Sequence, residues 1–143
     1  MKKTFLIGID PGTKTGVCLY HKLNRTILEC KTMNIILAMQ HIKINIIDRY
    51  NPDTLLFVLE DARKKKWFGT GKEVAVRAQG AGSVKRDTKI WIEFFEENNV
   101  DYKLVEPPKD LTKMPEDRFK RLTGYNHRTS EHARDAAMLV WGY

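Results

Sequence analysis

Cysteine is scarce: Cys18 and Cys30 are the only two in 143 residues, and they form no CxxC pair. That count excludes the dense disulfide framework of a small secreted domain and a thiolate metal site, and it fits two free thiols in a reducing, cytoplasmic compartment. Long apolar runs are also lacking. The longest candidate, around Ile35 to Met39, is soon interrupted by Gln40, His41 and Lys43, well short of the roughly 18 residues that cross a bilayer. No membrane association is expected. The opening MKKTFLIGID has lysines before an apolar stretch, but it meets Asp10 with no small-residue cleavage site, so export is not expected either. Acidic residues are outnumbered, 18 against 25 lysines and arginines, which gives a net charge of +7 and favours a polyanionic partner. There is no internal repeat, low-complexity segment or linker, so the whole chain reads as one domain, residues 1–143. With 42% hydrophobic residues it can build a core without staples.

The elements follow from where the apolar pattern changes period. Thr4 to Ile9 ends abruptly in Asp10-Pro11-Gly12, Thr15 to Tyr20 ends in Lys22-Leu23-Asn24, and Arg25 to Thr32 continues with β-formers. Three short strands with brief connections make an antiparallel meander. Ile35, Met39, Ile42, Ile46 and Tyr50 then recur at helical spacing until Asn51-Pro52. Leu55 to Leu59 is a continuous apolar run, suited to a central strand covered on both faces. A long helix is expected through Val74, Ala78, Ala81, Val84, Trp91 and Phe95, and a fifth strand over Tyr102 to Val105. Lys109 to Arg121 reads as irregular or briefly helical, and Thr129 or Ser130 can cap a last helix that runs to Trp141.

Three of these elements carry acids in comparable places. Asp10 ends the first strand, Glu60 ends the fourth, and Asp135 sits early in the last helix, three residues after His132. Taken singly, each acid has an ordinary reading as a solvated or capping residue, and His132 as an exposed one. Taken together they describe a site: an Asp that closes a buried strand lies at the rim of the core, where a metal or hydrogen-bond donors offset its desolvation. His132 and Asp135, about one helical turn apart, can reach one place. Asp61 is a weaker candidate, because adjacent strand residues face opposite ways.

The string IGIDPGTKTGVCLY, the strand LLFVLED, the segment RAQGAGS and the closing HARDAAMLV together resemble the RuvC family of Holliday-junction resolvases, in that family's order and over most of the chain. The resemblance implies an α/β, RNase H-like fold: a five-stranded mixed sheet whose first three strands are antiparallel, with helices on both faces. It implies a metal-dependent endonuclease acting on four-way DNA junctions. Asp10, Glu60 and Asp135 would match the family's metal-binding acids, with His132 in its fourth site position. Two Mg²⁺ ions, replaceable by Mn²⁺, would be the cofactors, since hard oxygen ligands suit both metals. Where some members place an aromatic three residues beyond the catalytic Glu, this chain has Arg63. Its compactness after Tyr102 fits a small phage-type member.

Other residues are assigned to branched DNA. Arg63, Lys64, Lys65 and Lys66 would neutralise phosphates, and Trp67 or Phe68 would stack on an unpaired base, although Trp67 could equally serve the core. Lys14, Lys109 and Lys113 are further candidates for the DNA backbone. Symmetric cutting calls for a homodimer, and the outer face of the helix bearing Trp91, Phe94 and Phe95 is the expected interface, the alternative being that all three rings lie in the monomer core. Two other functions remain open. The same acids would serve an RNase H-like nuclease acting on RNA, hybrids or flaps. DPGTKTG also resembles the phosphate-binding turn of actin-like ATPases and sugar kinases, but those pair two such domains around the nucleotide. A non-catalytic DNA-binding role sits poorly with carboxylates that repel phosphate.

Overall fold

The computed structural model describes residues 2–61 and 72–143, the backbone alone for 72–84. The basic and aromatic stretch from Arg63 to Phe68 therefore lies outside the described residues. Strands β1 (Phe5–Asp10), β2 (Lys14–His21) and β3 (Thr26–Asn34) form the meander, because turns over residues 11–13 and 22–25 are too short for anything but antiparallel pairing. The longer, helical connections let β4 (Leu55–Glu60) and β5 (Tyr102–Val105) join in parallel, giving the order β3-β2-β1-β4-β5. This is the RNase H-like arrangement. At the outer strand β3 the register shifts beside Leu19 and Tyr20, leaving Leu28 as an extra residue.

Helix α1 (Ile35–Ile42) starts at Asn34, whose side chain accepts a hydrogen bond from the Leu37 amide at 2.9 Å. The sequence period predicts one helix to Tyr50. Instead the backbone widens into a π turn over Lys43–Ile47, and both Ile46 and Ile47 enter the core. Helix α2 (Lys72–Glu97) crosses the same face of the sheet, with Trp91 and Phe95 fully buried and Phe95 against Phe57 and Tyr102. Phe94 is half-buried against that cluster. The expectation of exposed rings on this helix is thus corrected for Trp91 and Phe95, which a broad sheet of large side chains takes in, while Phe94 is covered only in part.

Helix α3 (Glu116–Thr123) is the brief helix expected within the 109–121 stretch, shifted toward the C-terminus, and it stops at Gly124 in the left-handed conformation, φ 74°. Helix α4 (Glu131–Met138) is capped by Ser130, one of the two expected caps. Strand alternation divides the core. Ile7, Ile9, Val17, Leu19, Leu55, Phe57 and Leu59 face α1 and α2, whereas Leu6, Cys18, Tyr20, Cys30 and Val58 face α3 and α4.

Candidate active site

The site is built on the place where α4 meets the sheet. A Cβ added to Gly8 would stand 2.1 Å from the Ala136 carbonyl oxygen, and one added to Gly16 would stand 1.9 Å from that of His132. The helix therefore rests backbone on backbone across β1 and β2, with Ala133, Ala136 and Ala137 turned inward. Two side chains fasten its start. Cys30 Sγ donates to the Ala133 carbonyl at 3.1 Å, and Thr32 and Ser130 join through their hydroxyls. Gly16 is also the residue paired across from Asp10. The glycine beneath His132 thus fixes the distance from imidazole to carboxylate, and His132 Nδ1 lies 3.2 Å from Asp10 Oδ2.

The parallel register of β1 and β4 aligns Ile9 with Leu59, so the next residues, Asp10 and Glu60, end adjacent strands on the α4 face. Burial drives the Asp10 carboxyl up to about 6, a side-chain hydrogen bond with Glu60 opposes the rise, and the negative charges of Asp135 and Glu131 add to it. The two carboxyl groups thus lie within hydrogen-bonding reach of each other. Asp61 is buried too. It follows Glu60 by one residue, on the alternation that serves the α1–α2 face, and its amide is bonded to the Val105 carbonyl at 2.8 Å.

Asp135 is half-buried and accepts a hydrogen bond from the Lys113 backbone amide at 2.8 Å. Burial raises its carboxyl, that amide opposes the rise, and Glu131 adds to it. Arg134, the neighbour of Asp135, ties the same loop down by donating to the Met114 carbonyl at 2.7 Å and the Thr129 carbonyl at 2.6 Å. Lys113 thus reaches the site first through its backbone, with its side chain exposed; Lys14 and Lys109 are exposed as well, Lys14 beside His132 along one cleft. Of the expected site residues, Asp10, Glu60, His132 and Asp135 come together. Sequence reading missed Glu131, whose place in the first turn after Ser130 reads as an ordinary N-terminal helix acid. It also missed what Gly8 and Gly16 do.

Three carboxylates and an imidazole are a donor set for a hard divalent cation, and a buried carboxyl that resists ionisation is where such a cation is favoured. The set fits in kind; among the described residues, no three such side chains are grouped closely enough to enclose an ion by themselves. No protein-family model matches the chain, and no curated protein matches it. Among solved structures it is similar to the Thermus thermophilus RuvC structure, with a TM-score of 0.49 and 14% identity over 96% of this chain and 91% of that chain. At that identity the likeness concerns the fold alone. No described helix is long and apolar enough to cross a membrane.

Proposed function

We propose that the chain is a metal-dependent endonuclease of branched DNA that resolves four-way junctions by paired symmetric nicks. The reading is carried by the meeting of Asp10, Glu60, His132 and Asp135 at one rim of the sheet. In it, Asp10, Glu60 and Asp135, with His132 to hold or orient a metal beside Asp135, would draw in around two Mg²⁺ or Mn²⁺ ions, which when bound would supply an activated water and stabilise the leaving alkoxide. To hold a cation, the Asp10 carboxyl beside Glu60 would have to be ionised, its proton passing to water. His132, its side chain 47% exposed, restrains Asp10 Oδ2 at the mouth. The Lys113 amide steadies Asp135 and keeps the 106–115 loop, with Lys109, beside the cut. Lys14 and the Arg63 to Phe68 segment meet the DNA arms, and a second copy of the chain supplies the second cut.

The test is cleavage of four-way, flap, linear and RNA–DNA hybrid substrates without divalent ions, with Mg²⁺ and with Mn²⁺. Fastest cutting of the four-way junction, abolished by chelation, is the expected result. Preference for the hybrid would assign the chain to the broader RNase H-like chemistry, and an absence of cutting with either metal would remove the nuclease reading. Neutralising Arg63 to Lys66 should lower the logarithmic salt slope of binding by roughly one per lost phosphate contact. Mixing wild-type with Asp10→Asn chains should leave singly nicked junctions.

A further inference from the structure

Two clefts flank the β1–β2 turn and share Thr13 and Asn34 as a common wall. One, of about 580 Å³, lies between Lys14, the end of β3 and the Ser130–His132 start of α4. The other, of about 420 Å³, runs from Gly12 over the first turn of α1 to Arg86 and Asp87 of α2. Both fall within the range of ligand sites, roughly 300–1,000 Å³. They adjoin at Thr13 and Asn34, and this pair of clefts is the groove, with His132, the partner of Asp10, lining the first.

Ile36 and Leu37 stand on this groove 67% and 51% exposed. Fraying does not account for them, because Asn34 caps the helix ahead of them and Ala38, the next residue, is fully buried. A lone exposed aliphatic residue needs no explanation, but a neighbouring pair lining a cleft that adjoins the one at His132 does. The charges around the groove fit a polyanion in a chain of net charge +7. Lys14 lies at the end nearer the acids, and at the other end the Arg86 side chain is 70% exposed, with its Nε 3.8 Å from the largely buried Asp87.

We propose that this groove takes the nucleotides on one side of the scissile phosphate, with Ile36 and Leu37 inserted between bases at the branch point and Lys14 at the phosphate backbone. This rests on the branched-DNA reading above and adds to it how the branch is recognised. Apolar side chains pry apart base steps at a cost of a few kcal/mol. That cost is least where pairing is already weakened, as at a crossover, so the pair would favour junctions over intact duplex.

The experiment uses a four-way junction with 2-aminopurine next to the cut, bound to the full-length Asp10→Asn protein so that nothing is cleaved. Fluorescence should rise on binding, and the rise should vanish in the Asp10→Asn/Ile36→Ser/Leu37→Ser protein. In the otherwise wild-type chain, Ile36→Ser/Leu37→Ser should slow nicking about tenfold while junction affinity changes less than about threefold. Both positions are exposed, so circular dichroism should be unchanged. An undiminished fluorescence rise, or unchanged nicking, would overturn the insertion and leave the nuclease reading standing. Conversion of a dimer to a monomer by these substitutions, seen by light scattering, would overturn it as well, because the pair would then join two copies. If the unsubstituted protein cut no DNA, the nuclease reading would fall while the fluorescence still decided insertion.

Discussion

The two faces of the sheet are built on opposite principles. Toward α1 and α2 the core is made of bulk: Trp91, Phe95, Phe57, Ile7, Ile9 and Leu59 are fully buried, and Phe95 lies 5.0 Å from Phe57 and 5.8 Å from Trp91, ring centre to ring centre. That bulk absorbs the cost of burying Trp91 Nε1 and Thr88 Oγ1, which find no hydrogen-bond partner among the described residues, about 1–3 kcal/mol for each. Toward α4 the contact is made of absence, two glycines under a helix of alanines. Area buried stabilises the first face, whereas the second gives up side-chain volume to set one distance. The acids gather on the second. A large apolar layer can repack by rotamer changes, but backbone against backbone has no such slack, and that is the support a reacting constellation needs.

Substitutions of the acids should have the largest effect. Asp10→Asn, Glu60→Gln or Asp135→Asn should each cut the nicking rate at least about a hundredfold, with folding retained by circular dichroism; wild-type-like nicking by Asp10→Asn would remove the acids from the chemistry. A pair of substitutions then separates the faces. Phe57→Leu should lower stability by about 1–2 kcal/mol and leave the rate per folded molecule intact. Gly16→Ala should cost about 3 kcal/mol or more and also slow nicking by the molecules that remain folded, since His132 must move. Denaturant titration with single-turnover kinetics checks both, and equal effects on rate would erase the distinction.

Protonation sharpens the contrast further. The Asp10 carboxyl is raised from 3.8 to about 6 in the folded chain, so between those values the folded state holds more proton than the unfolded one. Its stabilising contribution is complete below pH 4 and lost as pH rises past 6, a penalty of up to roughly 2–3 kcal/mol. Asp10→Asn should therefore raise the melting temperature of the metal-free protein at pH 8. The gain should vanish near pH 4, and Mg²⁺ should narrow it by stabilising only the wild type. An effect on stability alone belongs to Gly124→Ala, about 1–2 kcal/mol. There the added methyl meets nothing within 4 Å and only φ 74° resists it, so nicking should not change.

Asp10 and Glu60 were legible because each ends an apolar run abruptly, and a strand cannot place an acid there except at a rim. His132 and Asp135 were legible from helical spacing. What they rest on was not: that Gly16 carries the His132 carbonyl depends on which turn of α4 crosses which strand, and period alone is silent on crossings. The same limit applies to Trp91 and Phe95, whose burial was decided by the breadth of the sheet beneath them. The Lys113 contact runs through a backbone amide and leaves no mark in residue type. Glu131 was hidden by its ordinary position at the start of a helix.

The extra residue in β3 bears on how the protein behaves when concentrated. A border strand of nine residues offers unpaired amides and carbonyls to any passing chain and invites stacking of one sheet onto the next. The shift that leaves Leu28 unmatched bends that border, and it carries a charged pair, with Lys31 Nζ 3.8 Å from Glu29 Oε2. A bent, charged border is a poorer template for a further strand than a flat one, which disfavours edge-to-edge stacking beyond the five strands of the described residues.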